Sequence, residues 1–557
     1  MGGAGASGPP TGLFGGNWMQ RRPLCFLALA GLSATASAQT STPIDRNRVD
    51  RQPPPSTELK AGRAPAPTAA TRVDAGDEAA PAIRNILFEG TAVPRTVATA
   101  AEAFVGRPAT KANLQALAAA MSEAYGRSEV ALFTIAIPQQ DLSAGDVRVL
   151  VAEGYVEAVI LAGEVEGHPL KLVQRYASRL TGERPTSRRT LERYLSLIQD
   201  IPGLKVKSEL QMGEGPGGVR LILNLDYQRP TLAFSFDNRT TRLVEDGQLS
   251  ATARAYRLLR EGDETVFNAI SSIDASDLLY FGLSHSTPVG SDGMRLSLNA
   301  GFLRTRPDGT DQAGEARSLG MTLSYPLIRS YRRNLTLSLA MDGLNSENAA
   351  FGSLISTERS RAVRAAVAYA QSGKHRTISG GLTASKGVDI FDARVPAGIG
   401  DAGFIKINGR GAIDQAIGKR AALRLRASGQ WTRDPLPAVE RYSIGGAEIG
   451  RAFEVGLISA DRGLGGLAEL AWRPLRAGKF AQSEVYGFAD AAKVRLLARP
   501  GFGGMDFDPA SAGAGIRLAW TDKAMIEAEF AHVLDDPFVG YDEDWRLSIT
   551  WRLNIRP

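Results

Sequence analysis

From residue 230 onward the chain alternates apolar and polar residues with a period of two, and this restricts its fold more than any other feature. In Met294–Leu303, Leu296, Leu298, Ala300 and Phe302 share one face, while Arg295, Ser297 and Asn299 share the other. Leu335, Leu337, Leu339 and Met341 alternate with Thr336, Ser338 and Ala340. Leu423, Leu425, Ala427 and Trp431 face away from Arg424, Arg426, Ser428 and Gln430. The last segment is the clearest: Trp545, Leu547, Ile549, Trp551, Leu553 and Ile555 oppose Arg546, Ser548, Thr550, Arg552 and Asn554. A side-chain period of two means a strand with two unlike faces.

No apolar run reaches the ~18 residues of a membrane-crossing helix, so a helical membrane protein is excluded, but a membrane barrel is not. Sixteen alternating segments follow one another, centred near residues 234, 252, 267, 281, 297, 321, 338, 367, 380, 407, 425, 468, 488, 516, 528 and 549. Lipid offers no backbone partner, so a sheet that crosses it must close. The apolar faces then meet lipid and the polar faces line a wet lumen; an even strand count brings both ends to the periplasmic side. A soluble β-sandwich or propeller is the competing reading.

The N-terminus reads as an address. Gln20-Arg21-Arg22-Pro23 precedes an apolar stretch, Leu24 to Leu32, and then Ala36-Ser37-Ala38. That is the layout of a secretory leader over residues 1–38, with Met19 as a possible true start. Cys25, the single cysteine, leaves with it, so no disulfide forms. The formal charge of +6 falls to +4 once Arg21 and Arg22 are removed. Such a modest charge gives no footprint for nucleic acid. Residues 39–80, with Pro53-Pro54-Pro55 and Pro65-Ala66-Pro67, read as a flexible Pro-rich linker with little that packs.

Residues 83–154 and 155–228 carry one pattern twice. The first copy runs strand (Ile86–Gly90), two helices (near Val93–Phe104 and Lys111–Tyr125), then strands at Val130–Ile137 and Val147–Val151. Leu114, Leu117, Ala118 and Met121 recur at helical spacing. The second copy runs strand (Val156–Leu161), helices near Leu170–Leu180 and around Leu191–Ile198, and strands Lys205–Met212 and Val219–Leu225. Each copy is β-α-α-β-β, and its open sheet edge is a template for another extended chain.

One gap interrupts the barrel pattern. Residues 432–461 show no alternation and follow the eleventh strand, which makes them the sixth outward-facing connection. They contain Gly445-Gly446-Ala447-Glu448-Ile449-Gly450-Arg451-Ala452-Phe453. Two strands further on comes Val485-Tyr486-Gly487-Phe488-Ala489-Asp490. A tucked-in Arg451 needs an opposite charge, and an inward Asp490 offers one. Arg424, Arg426, Glu527 and Glu529 fall on polar strand faces and are expected to line the lumen, the two arginines as solvated faces. The sequence has no Walker lysine motif, His-Glu-x-x-His or Gly-x-Ser-x-Gly. Neither an enzyme, a cofactor nor a metal is expected, and His168 is placed near a helix start.

This arrangement resembles the two-partner-secretion outer-membrane transporters (TpsB, the ShlB/FhaC/HecB family), relatives of the barrel-assembly insertase BamA. The family's loop motif is Val/Ile-Arg-Gly-Tyr/Phe; Arg451 and Phe453 match it, while Gly450 and Ala452 depart. Its wall motif is Phe-x-Asp-x-Gly; Phe488 and Asp490 match, and Ala492 stands for the glycine. The resemblance implies two periplasmic POTRA domains (α+β) before an all-β 16-stranded transmembrane barrel, and a loop-to-wall lock of Arg451, Phe453, Phe488 and Asp490 built on an Arg451–Asp490 ion pair. It further implies secretion, without ATP, of a large exoprotein (adhesin or cytolysin type) whose N-terminal secretion domain the POTRA units capture. Outer-membrane lipid and the barrel-assembly machinery would be its other partners. An insertase-like assembly factor is the alternative, and a passive porin the third reading.

Overall fold

The computed structural model describes residues 44, 48–51, 72–73, 81–163, 170–241, 244, 247–273, 275–351, 353–475, 477–521 and 523–555. The leader with Cys25, and His168, lie outside the described residues.

A two-residue strand, β1 (Arg72–Val73), precedes the first small unit. That unit comprises β2 (Asn85–Gly90), α1 (Arg95–Glu102), α2 (Lys111–Arg127), β3 (Phe133–Ile137) and β4 (Asp146–Glu153). Thr110 caps α2 by accepting the Asn113 amide, and Leu114, Leu117, Ala118, Met121 and Tyr125 form its buried stripe. Truncating a core leucine such as Leu117 to alanine costs about 2–5 kcal/mol. The second unit comprises β5 (Tyr155–Ala162), α3 (Lys171–Ala177), α4 (Arg188–Gln199), β6 (Leu204–Met212) and β7 (Gly218–Tyr227). In both, the first strand pairs in parallel with the third and the second pairs antiparallel to it. β1 lies parallel along the outer edge of β3, at Ala136 and Ile137.

The barrel strands are β8 (Thr231–Asp237), β9 (Gln248–Tyr256), β10 (Glu264–Ser272), β11 (Leu278–Val289), β12 (Met294–Thr305), β13 (Gln312–Arg329), β14 (Arg333–Ala350), β15 (Ser353–Ser372), β16 (Arg376–Gly387), β17 (Ile405–Ile417) and β18 (Ala421–Thr432). A loop containing β19 (Tyr442–Ile444) and β20 (Ile458–Ala460) follows. Then come β21 (Arg462–Trp472), β22 (Glu484–Leu496), the short β23 (Met505–Phe507) against the end of β22, β24 (Ala510–Trp520), β25 (Ala524–Asp535) and β26 (Trp545–Ile555). Sixteen antiparallel strands close where β26 meets β8 (β23 only extends the sheet beside β22), and every centre expected from the sequence falls within one of them.

The alternation sorts side chains as expected: Leu319, Leu339 and Leu464 point outward and are 69 %, 64 % and 67 % exposed, while Lys406, Asp490 and Glu529 point inward and are buried. The seam pairs Asp237–Leu232 of β8 with Thr550–Ile555 of β26. Asn238 extends it: its side-chain amide donates to the Leu547 carbonyl and accepts the Ile549 amide.

The second unit is docked on the barrel's periplasmic turns. Glu261, between β9 and β10, accepts the Leu172 and Val173 amides at the first turn of α3 (2.7 and 3.3 Å), where a helix presents unpaired N–H groups. Asp292, between β11 and β12, takes Arg193, Tyr194 and Tyr325. Arg329 grips Asp200 through two bonds of 2.5 and 2.6 Å. Burial pushes the Asp292 carboxyl up, but hydrogen bonds from Tyr325 and Arg193 outweigh it and hold the carboxyl below its usual range.

The linker reading needs correction. Ile44 and Arg48–Arg51 sit inside the barrel. Ile44 packs with Ile270, Tyr280, Leu303, Leu344 and Val439, and its carbonyl accepts from Ser318. Arg48 and Asp50 are buried among ion partners. A Pro-rich composition hides this because a lone isoleucine and charges, not apolar periodicity, hold the described residues 44 and 48–51.

Candidate functional site in the barrel lumen

The sixth outward connection, 433–461, folds back into the lumen. A single turn at Ala438–Glu440 starts it, and the β19–β20 ladder stiffens its middle. Asp461 pins its two ends: the carboxylate accepts the Leu436 and Leu497 amides (both 2.7 Å) and pairs with Arg499 at 2.8 Å. Asp461 and Phe453 are both buried.

At the tip, Gly450 has φ +80°, a conformation that costs other residues strain. A Cβ there would meet Ile444 Cγ2 at 2.9 Å and Phe453 Cδ2 at 3.0 Å. This accounts for a glycine at position 450. The turn aims two amides at Asp490: Gly450 N–H to Oδ1 at 2.8 Å and Arg451 N–H to Oδ2 at 3.3 Å. Ser511 donates to the same carboxylate at 2.8 Å.

The Arg451–Asp490 ion pair does not form; this is a correction. With both loop amides spent on Asp490, the Arg451 side chain runs over the Phe488 ring (4.7 Å) and pairs with Glu469 at 3.1 Å and Glu529 at 2.9 Å. Phe453 packs with Leu467, Tyr486, Phe488, Ala531 and Val533, and edge-on to Tyr541. Ala492 is accommodated because its partner across the ladder is Gly465; a Cβ at Gly465 would lie 2.9 Å from Ile449 Cδ1 and 3.2 Å from Ala492 Cβ.

The structure thus brings Arg451, Phe453, Phe488, Asp490, Glu527 and Glu529 together, and adds Arg424. Arg424 is not a solvated face: it pairs with Glu469 and Glu484, both at 2.6 Å. The reason is that β21 and β22 present inward carboxylates directly beside it. Arg426 pairs with Asp414 at 2.7 Å and stays more than a third exposed (37 %). Arg517, absent from the sequence reading, is the hub: it reaches Glu469, Glu484 and Glu527 at 2.7, 2.9 and 3.2 Å and lies over Tyr486. Arg239 adds Glu527 and Glu529, with Asp237 at 3.9 Å, and Arg473 reaches Glu484 at 3.5 Å. Five cations (Arg239, Arg424, Arg451, Arg473, Arg517) face five carboxylates (Asp237, Glu469, Glu484, Glu527, Glu529).

A second cluster lies where the N-terminal segment meets the loop. Arg48 pairs with Asp50 at 2.8 Å and Glu440 at 2.7 Å, and comes within 3.9 Å of Asp342. Arg364 pairs with Asp342, Glu440 and Asp50 at 2.6, 2.9 and 3.4 Å. Lys406 pairs with Asp50 at 3.1 Å and Glu440 at 2.8 Å. Arg51 donates to the Val439 and Arg441 carbonyls. The inward phase of the alternation is the signal that could have flagged Arg364, Lys406, Glu469 and Arg517. Among the described residues, no group of His, Cys, Asp and Glu is placed to hold a metal ion.

A closed sixteen-stranded barrel, a loop folded into it and α+β units at its periplasmic end define an outer-membrane β-barrel protein with a filled lumen. Residues 217–518 match the family described as haemolysin secretion/activation protein ShlB/FhaC/HecB, and residues 82–154 match the ShlB-type POTRA domain. The chain belongs to that family. It is 22 % identical over 383 residues to the heme/hemopexin transporter protein HuxB of Haemophilus influenzae (strain 86-028NP), covering 65 % of this chain and 66 % of that protein. Its fold is similar to CdiB from Escherichia coli (TM-score 0.68, 17 % identity, 94 % of this chain and 99 % of that one). It is also similar to BamA from Haemophilus ducreyi lacking POTRA domains 1–3 (TM-score 0.55, 13 % identity, 86 % of this chain and 100 % of that one).

Proposed function

We propose that this chain is the pore through which one large partner exoprotein crosses the outer membrane, entering from the periplasm through the two βααββ units and leaving as an extended chain. The observation that carries this is how the lumen is filled. Among the described residues, the loop and the N-terminal segment are held by side-chain ion clusters, apolar contacts and single loop amides, with no β-ladder to the wall, so both can leave without opening the barrel. Residues 155–228 act as the second POTRA domain. The edges of β2 and β6 offer backbone groups to an extended client, the route that gives affinity through main-chain pairing. Arg451, Phe453, Phe488 and Asp490 act as the loop's lock. No nucleotide or cofactor enters the scheme; folding of the client outside supplies direction. Barrel-assembly machinery inserts the protein into lipid.

The test is mass spectrometry of culture supernatant and cell surface from wild type, a deletion strain and an Arg451→Ala strain. Loss of one large exoprotein in the deletion, with other outer-membrane proteins unchanged, is the expected result. A general fall in barrel proteins with no exoprotein lost would replace secretion with the assembly-factor reading.

A further inference from the structure

We propose that the outer surface of the barrel, at the extracellular ends of β14 to β16, holds the phosphorylated headgroup of an outer-leaflet lipid, with Arg361, Arg394 and Lys386 as its cations. The order of residues along the lipid-facing side of neighbouring strands points there. Toward the cell exterior, β13 runs Leu319, Arg317, Glu315; β15 runs Val363, Arg361, Arg359; β16 runs Leu382, Ala384, Lys386. On β14, Met341 gives way to Gly343, and Arg361 lies across it: a Cβ at Gly343 would meet Arg361 Cδ at 2.8 Å. Cations thus follow the apolar rows directly, and the strands' carboxylates come only further out. The level also fits. From Tyr369, beside the periplasmic turn, to Arg361 is nine residues and to Arg359 eleven, the ~9–11 that a tilted strand takes to cross the hydrocarbon.

These cations are fixed by neutral groups. Arg361 donates to the Leu344 and Ser360 carbonyls (3.2 and 2.8 Å), to Asn345 Oδ1 (2.8 Å) and to the Phe391 carbonyl (3.2 Å). Lys386 Nζ donates to the Gly403 carbonyl at 2.7 Å. Arg394 is bridged to Arg359 by backbone bonds of 2.7 and 2.8 Å, which puts the two side chains on one face. Arg359 is taken by Asp392, and Arg317 by Glu315. Among the described residues, no carboxylate lies within ion-pair distance of Arg361, Arg394 or Lys386. Basic side chains left uncompensated at a lipid interface attract anionic headgroups. Arg394 and Lys386 stand opposite positions 359 and 363 of β15, four residues or about 14 Å apart along the strand, with Arg361 between. That span suits a headgroup with a phosphate at each end better than a single free anion. In the outer leaflet such a lipid is lipopolysaccharide, an acylated disaccharide phosphorylated at both ends. Phe391, 73 % exposed on the adjoining loop, supplies the aromatic residue usual at this level.

The full chain in detergent micelles, its barrel fold checked by heat-dependent gel mobility, is titrated with deep-rough lipopolysaccharide, with the same lipid stripped of its phosphates, and with inorganic phosphate. Bound lipid is counted by native mass spectrometry. Saturable binding of the phosphorylated lipid is expected. Lys386→Gln with Arg394→Gln, which alters two exposed side chains only, should weaken it at least tenfold, as should stripping the phosphates; Arg361→Gln should weaken it at least threefold. Arg376→Gln removes a cation from the periplasmic end of β16 and should stay within twofold. Wild-type binding by the double variant overturns the proposal, as does equal binding of the stripped lipid. A loss in Arg376→Gln equal to that in Arg361→Gln means unspecific charge attraction and overturns it too. Displacement of the lipid by millimolar inorganic phosphate means a free-anion site and does the same. None of these outcomes depends on whether secretion occurs.

Discussion

The Gly450 amide points at Asp490 Oδ1 from 2.8 Å, so the loop tip is attached to the wall by main chain, and the arginine beside it is free to serve a different pair of strands. Removing Arg451 takes one cation from Glu469, which keeps Arg424 and Arg517, and one from Glu529, which keeps Arg239, whereas Asp490→Asn keeps an acceptor for the amides. Arg451→Ala should cost about 1.5–3 kcal/mol, and Asp490→Asn about 1–3 kcal/mol. Double-mutant cycles in detergent-solubilised protein, read by thermal unfolding, should give a larger coupling for Arg451 with Glu529 than with Asp490. Equal couplings would restore the direct ion pair.

Gly450→Val should destabilise the loop tip. The left-handed φ costs about 1–3 kcal/mol for a β-branched residue, and Ile444 and Phe453 crowd the added atoms. Faster proteolysis within 442–455 of the intact protein is the expected readout; wild-type resistance would refute the argument.

The dock between the second unit and the barrel should weaken in acid. Asp292 has a folded pKa below the ordinary aspartate value of 3.8, because Tyr325 and Arg193 favour its charged form over the effect of burial. A depressed carboxyl stabilises the fold above its unfolded pKa and loses that contribution as pH falls through the folded one. Exchange at Arg188–Gln199 should therefore rise below pH 3.8 in wild type and much less so in Asp292→Asn.

Glu261→Ala removes the acceptor at the first turn of α3 and should cost about 0.5–2 kcal/mol, as loss of a helix cap does. Amides at Lys171–Ala177 should exchange faster while those of α2 stay unchanged. Equal speeding in both helices would mean a global effect.

The barrel was legible from the sequence because lipid forces a period of two on every strand, and Trp545 to Ile555 shows that period without interruption. The two small units were legible because Leu114, Leu117 and Met121 repeat at helical spacing between β-branched runs. The partners within the lumen were not. Alternation puts Arg451's neighbours on the inner face but says nothing about which strands face each other across the interior. Asp490 therefore drew the pairing that Glu469 and Glu529 in fact hold. Ile44 and Arg48 escaped because a segment held by scattered charges has no periodicity to read.

The wall alone, without segment or loop, contributes six cations to the two clusters (Arg239, Arg364, Lys406, Arg424, Arg473, Arg517) and six carboxylates (Asp237, Asp342, Glu469, Glu484, Glu527, Glu529). Their fields cancel beyond the spacing of neighbouring pairs, and a wetted lumen screens the remainder within about 10 Å. Under the proposed transport, a polypeptide drawn past these two clusters would meet both signs in equal number. Neither an acidic nor a basic stretch would find a one-signed well there to stall in, so this part of the emptied channel would be a low-friction track for a cargo whose sequence changes with every residue that passes.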